Sequence, residues 1–413
     1  MAADVLTQGP LTQGPLTQGP LTQGPRREAD GAIGSPPLQP DIATGGLTGG
    51  ATIRWVPAGQ WPDMAEAWSV LAQAAGPNVF LEPGFALAAR GIDPASGLGA
   101  VVMEEGGRLV GFAPGRFMLG GAVFALWTHP YAPYGAPLVL PGAERPVLAR
   151  LVDYLRAAGA VALDWPLLDD GSPLTAALGV LAGPSQHRVD VLEAHRRAAL
   201  ITADPPRPSK ELRRLGRRLA EQGELVVVST ASGLALADAT EAFLRLEAEG
   251  WKGRKGSALA VSADSRRFFD EAMSGLAASG QAQIDLMLLD GKAVAGAVVL
   301  RAGDRAWYWK TAYGEAHARY SPGALMTLEL TERLCADPAI RLVDSCAIAG
   351  HPMIDRIWTG RLGITSRLVA LRPGRAGLRY RLVLAVIAAR RSAKAGAKAL
   401  VARLRRVRAT AGG

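Results

Sequence analysis

Acidic residues are missing from the last stretch of this chain. Arg356–Gly413 carries fifteen Arg and Lys and no Asp or Glu, so the overall charge of +9 across 413 residues leaves −6 for everything before it. The basicity is local, and any contact with a polyanion or an anionic surface belongs to the tail. Cysteine is scarce as well: Cys335 and Cys346 exclude a disulfide framework and a thiolate cluster, and fit a reducing compartment. The five histidines, at 129, 187, 195, 317 and 351, have no i, i+4 pairing, so no metal site is expected. No apolar run approaches the ~18 residues of a spanning helix, and the first residues lack the basic-then-apolar layout of a signal peptide. These absences predict a cytoplasmic protein. Nothing predicts a DNA partner, and nothing determines the oligomeric state.

A hydrophobic content of 49% fills more than one core at this length. Four tandem LTQGP copies, Leu6 to Pro25, open a Gly/Pro-rich segment, 1–50, that cannot bury enough surface to order itself and is expected to be disordered. A first unit, 51–203, reads as a strand at Thr52–Val56, helices within Pro62–Ala74 and Pro83–Arg90, and a meander from Leu98 that turns at Gly106-Gly107. The proline-rich stretch Thr128–Pro141 follows, then a helix Ala143–Ala158, a strand Val161–Trp165, a short helix after Ser172 and a strand His187–Leu192.

Asp204–Pro208 reads as a linker into a second unit, 204–372. Ser209 caps a helix to Gln222, and a strand Glu224–Ser229 and helices Leu234–Glu249 and Ala263–Ala278 come next. Strands Ala282–Leu289 and Ala293–Leu300 flank Asp290-Gly291, a two-residue hairpin dipeptide, and a third runs Arg305–Tyr313. A helix Pro322–Cys335, a strand Arg341–Ser345, a short helix near Met353–Trp358 and a strand Thr365–Leu371 complete it. The order β-α-α-β-β-β-α-β-α-β occurs in both units. The expected fold is α/β (α+β): tandem related units with mixed, mostly antiparallel sheets flanked by helices, the first degenerate, and a basic helical tail at 373–413.

Four blocks in order, PSKELRR at Pro208–Arg214, WKGRKGSA at Trp251–Ala258, ARYSPGALMTLE at Ala318–Glu329 and VDSCAIAGHPMIDRIW at Val343–Trp358, resemble the CelD/BcsL-type acetyltransferases of the GNAT superfamily. The resemblance spans about Pro208 to Leu371 and extends to the FemAB peptidoglycan transferases. It implies a GNAT-related fold and an acyl-CoA donor, acetyl-CoA in the first instance as co-substrate; it does not fix the acceptor, a small molecule or a saccharide, since the family is linked to envelope and exopolysaccharide acylation only in general terms.

The residues place that chemistry. Tyr320, Ser321, Pro322, Gly323 and Ala324 lie where a strand gives way to an apolar helix. Helix-opening amides carry partial positive charge, and glycine permits close approach of a phosphate, so this loop is the expected seat of the CoA pyrophosphate; alternatively Ser-Pro-Gly only caps the helix. Lys252, Arg254 and Lys255, beside Trp251, either hold the CoA 3′-phosphate or an anionic acceptor, or simply oppose the preceding helix dipole. Glu247 and Glu249 face solvent or supply a base. Acyl transfer needs a base for the nucleophile's proton and a donor for the oxyanion or thiolate. The candidates are Lys310, Tyr313, His317, Tyr320, Asp344 and His351, with His351 assisted by Asp344 as the first choice. The plainer reading makes Asp344 a loop cap and His351 structural. Cys346 is expected to be an inert packing residue.

In the tail, Leu378, Leu382, Ala385, Ala389, Leu400, Leu404 and Val407 recur near helical spacing among ten cations. Such a helix suits an anionic membrane surface or packs on the domain; a lone aromatic, Tyr380, argues against RNA. Three functions compete: acyl-CoA-dependent transfer, FemAB-like transfer from aminoacyl-tRNA, and an inactive GNAT-like scaffold.

Overall fold

Apolar alternation and paired turn residues build two runs of elements with one order. The computed structural model describes residues 51–411, except 94, 184–186, 208, 232, 255, 257, 375 and 376 and the side chains of 234, 251, 252, 394, 395 and 397–411. The segment 1–50, with its expected disorder, and Lys255 lie outside the described residues. The first run is β1 (Thr52–Pro57), α1 (Ala65–Ala74), α2 (Pro83–Gly91), β2 (Gly99–Glu105), β3 (Arg108–Met118), β4 (Val123–Leu126), β5 (Leu138–Val139), α3 (Glu144–Ala157), β6 (Ala162–Asp169), α4 (Pro173–Leu181) and β7 (His187–Ile201). The second is α5 (Lys210–Ala220), β8 (Leu225–Thr230), α6 (Gly233–Glu249), α7 (Trp251–Arg254), α8 (Ala263–Ala277), β9 (Ala282–Leu289), β10 (Lys292–Ala302), β11 (Arg305–Tyr313), α9 (Pro322–Ala336), β12 (Leu342–Asp344), α10 (Ile354–Ile357) and β13 (Gly360–Pro373). A long helix, α11 (Leu378–Ala411), follows.

Local chemistry explains the boundaries. Ser172, Ser209 and Ser262 each accept the amide three residues on, from Thr175, Leu212 and Ser265, and so start α4, α5 and α8. The β9–β10 turn puts Asp290 at φ 48° and Gly291 at φ 74°, and the β2–β3 turn puts Gly106 and Gly107 at 56° and 76°. Two successive positive φ values match the strand twist, so both runs use the same hairpin.

The strands form one continuous sheet rather than the two expected. Its order is β1-β2-β3-β4-β6-β13-β7-β12-β11-β10-β9-β8, with β5 added beside β3. The pairs are antiparallel apart from β4 with β6 and β11 with β12. The reason is an exchange of last strands. β7 runs nine residues past its expected end at Leu192 and pairs with β12 of the second run, while β13 pairs with β6 of the first. Side by side at the centre, β7 and β13 join the halves.

The core is shared to match. Phe85 of α2 packs edge-on against Phe268 of α8 and Trp309 of β11, and Phe80 against Trp307. Burying each such ring contributes roughly 1.5–3 kcal/mol. The helices α2 and α8 cross where glycines face each other: a Cβ on Gly275 would lie 2.8 Å from the Cα of Gly84.

Candidate active site

The strand β11 is paired with β12 only over Arg305–Trp307, opposite Leu342–Asp344. Beyond that point β11 continues to Tyr313 while the chain after Asp344 turns away at Cys346, which adopts φ 53°. The two parallel strands therefore splay. A splay between parallel strands is a place where an amide-bearing ligand can add to the edge. At the mouth of the splay α9 begins, after Ser321 in the left-handed region at φ 54°. Ser321 is the N-cap residue but its side chain caps nothing; its carbonyl takes the amides of Ala324 and Leu325 at 2.9 and 3.1 Å. Pro322, Gly323 and Ala324 are buried in this first turn, and Tyr320 is buried beneath the Arg319 guanidinium at 4.7 Å.

The first run builds the same splay and then closes it. β4 stops at Leu126, four residues long, and the chain departs on an excursion before β5 resumes beside β3 at Gly111 and Phe112. On its return the excursion lies against β6: the Gly135 amide bonds Leu167 O at 3.0 Å and the Trp165 indole bonds Gly135 O at 3.1 Å. A Cβ on Gly135 would sit 1.9 Å from Pro166 O, so only glycine fits. Phe112, Leu138, Val147, Leu151 and Trp165 line the hollow beneath.

The outer part of that excursion enters the second run's cleft. Tyr131 stacks on Phe268 at 5.0 Å, and its carbonyl accepts the Trp309 indole at 2.7 Å. Lys310, 2% exposed on β11, holds its ammonium 4.4 Å from the Tyr131 ring. Glu247, also 2% exposed near the end of α6, accepts the Leu259 amide at 2.8 Å and is close enough to act electrostatically on Tyr131. Burial raises the Tyr131 hydroxyl above its ordinary pKa, and Glu247 adds to that. His129, beside Tyr131, is pushed down to about 4 by burial, with Arg116 and Lys310 adding to the effect and Asp93 opposing it. Its Nδ1 accepts the Tyr131 amide at 3.3 Å.

Several expected roles change. Asp344 and His351 do not pair. Both Asp344 oxygens are engaged elsewhere, Oδ2 by Arg197 of β7 and Oδ1 by the Cys346 amide at 2.9 Å, because the strand exchange delivers an arginine there. His351 faces its own turn, with Nδ1 3.4 Å from the amides of Met353 and Ile354, and burial lowers its pKa. Glu247 is not on a solvated face. Arg254 is exposed and ion-paired with Glu315, and the side chains of Trp251 and Lys252 lie outside the described residues. Tyr313 is half-buried at the end of β11, where burial raises its pKa, and His317 sits on the 3-10 turn before α9. Burial holds the Cys346 thiol well above its usual range, in keeping with an inert role.

Residues 207–350 match the family model described as acetyltransferase (GNAT) domain. This segment is similar to GNAT acetyltransferase domains. No curated protein matches the chain. Among solved structures, a tandem GNAT protein from the clavulanic acid biosynthesis pathway, without AcCoA, is 18% identical over 78% of this chain and 100% of its own, with a TM-score of 0.39. The C-terminal domain of a putative lysylphosphatidylglycerol synthetase from Agrobacterium fabrum is 12% identical over 75% and 91%, at 0.49. FemX is 12% identical over 74% and 95%, at 0.47. Likenesses this distant bear on neither donor nor acceptor.

The open splay, the α9 N-terminus and the buried group Lys310, Glu247 and Tyr131, the last from the first half of the chain, converge on one strand, β11. Tyr131, His129 and Arg197 went unrecognised in the sequence because they belong to the other half. The available signal was the aromatic content of Trp127-Thr128-His129-Pro130-Tyr131, unusual for a plain proline-rich loop.

Proposed function

We propose that the GNAT domain transfers an acyl group, acetyl in the first instance, from coenzyme A to an amine or hydroxyl of a small-molecule or saccharide acceptor. The observation that carries this reading is the asymmetry of the two splays: β11 runs on to Tyr313 past its pairing with β12, near a helix N-terminus, while its counterpart β4 is cut short. The donor's pantetheine amides would pair with β11 and its diphosphate would approach α9. The acceptor attacks the thioester carbonyl, the C–S bond breaks, and the acceptor's proton passes to a base, with Glu247 as our choice. Lys310 stabilises the oxyanion or the departing thiolate, which then takes up a proton. An envelope or exopolysaccharide acceptor, of the kind the CelD/BcsL resemblance implies, fits this chemistry.

One feature favours a second reading, transfer from aminoacyl-tRNA. Helix α5 packs by Gly216 on Leu325 of α9 and displays Lys210, Arg213, Arg217 and Arg218, all exposed. That is more positive charge than one diphosphate requires. Thermal-shift titration decides between them: stabilisation that grows with acetyl-CoA supports the first reading. No shift with acetyl-CoA, together with retention of charged tRNA, replaces it with the second. Silence toward both leaves a scaffold.

A further inference from the structure

Helix α11 has two apolar faces, and among the described residues only one has a partner. Tyr380, Val383 and Ile387, at i, i+3 and i+7, are buried against Val123, Ala162, Leu368 and Ala370 of the sheet. The Tyr380 hydroxyl donates to Asp190 at 2.7 Å and Arg391 pairs with Glu193, which holds the helix down. Leu378, Leu382 and Val386, at i, i+4 and i+8, form the other line and are 72%, 57% and 40% exposed.

The two lines diverge in sequence beyond that point. From Val386 the outer line continues by steps of three and four through Ala389, Ala393, Gly396, Leu400, Leu404 and Val407. The helical backbone runs on to Ala411. The inner line stops being apolar after Ile387, its next positions being Arg391, Lys394 and Lys398. The seam legible in the sequence is therefore not the face that docks on the sheet. Arg379, Arg381 and Arg390, all exposed, border its described part. No helix among the described residues is long and apolar enough to cross a membrane.

We propose that the outer face of α11 lies flat on an anionic lipid bilayer. Leu378, Leu382 and Val386 enter the boundary between headgroups and acyl chains, the flanking arginines meet lipid phosphates, and the inner face keeps the sheet attached. Charge selects this occupant. A second copy paired along the seam would bring ten cations against ten, with no acid on either helix to offset them. Nucleic acid would answer the charge but not the leucines, and the helix's one aromatic, Tyr380, is buried.

The test is co-flotation of the full chain with vesicles of equal parts phosphatidylglycerol and phosphatidylcholine. Binding is expected there, weakened by added salt and absent on phosphatidylcholine alone. L378Q/L382Q, altered only at exposed positions, keeps the wild-type melting curve and loses at least ~10-fold in partitioning. Equal flotation of that variant and the wild type, or no flotation of the wild type, overturns the proposal. So does a sedimentation dimer that dissociates in L378Q/L382Q, which would put a second copy on the seam.

Discussion

Arg197 on β7 and Asp344 on β12 meet as an ion pair at 2.5 Å, with side chains 3% and 0% exposed. One partner comes from each half of the chain, so the pair exists only because the final strands are exchanged. Arg197 also donates to Pro133 O at 2.9 Å, which ties the excursion bearing Tyr131 to the same point. Arg305 and Asp169 repeat the arrangement across the halves at 2.6 Å.

Removing one member leaves the other charged and buried. Arg197→Ala should lose about 3–5 kcal/mol in urea unfolding, whereas the double replacement Arg197→Met with Asp344→Leu should recover most of it. A double variant as unstable as the single one would contradict this account.

The α2–α8 crossing reverses the usual rule for glycine in helices. Exchanging Gly for Ala inside a helix favours folding by up to about 1 kcal/mol, and Gly179→Ala, with nothing within 4 Å of its new Cβ, should raise Tm. Gly275→Ala pushes its Cβ onto the backbone at Gly84 and should instead lower stability by about 1–3 kcal/mol. Calorimetry of the two variants gives the signs.

His129 makes stability pH-dependent. Its folded pKa is depressed to about 4, so the unfolded chain binds the proton more readily. The contribution is fully present above the unfolded value near 6.5 and is lost as pH falls toward 4, up to about 3 kcal/mol across that window. His129→Gln should flatten the urea midpoint between those pH values, and an unchanged slope would remove His129 as the cause.

Lys310 and His351 should separate in kinetics. Lys310→Met should reduce acyl transfer by about 100-fold or more while leaving donor-induced stabilisation in place, as expected of a group acting on developing charge. His351→Asn, at a residue turned onto its own loop, should alter kcat by less than about threefold. The reverse ranking would return the base to His351.

Element identity was legible because it rests on local chemistry. Asp290-Gly291 demanded a tight hairpin, and Ser209 marked a helix start, as the structure bears out. The repeated element order was legible for the same reason, as it needs only the succession of periodicities. The strand exchange was not. Ala198, Ala199 and Leu200 read as the end of a unit, since alternation reveals that a strand exists and not which neighbour it will hydrogen-bond.

The candidate site divides along that line. Sequence alone placed Lys310, Glu247 and the start of α9, because each sits in the half that carries the family's pattern. It also supplied the one apolar line of α11 that runs through Leu378 and Leu382. Tertiary structure alone paired Asp344 with Arg197 instead of His351, carried Tyr131 into the other half's cleft, closed the first splay with Gly135 and chose which face of α11 docks on the sheet. Those outcomes depend on contacts between residues far apart in the chain, where burial and charge act through space and leave no periodicity to read.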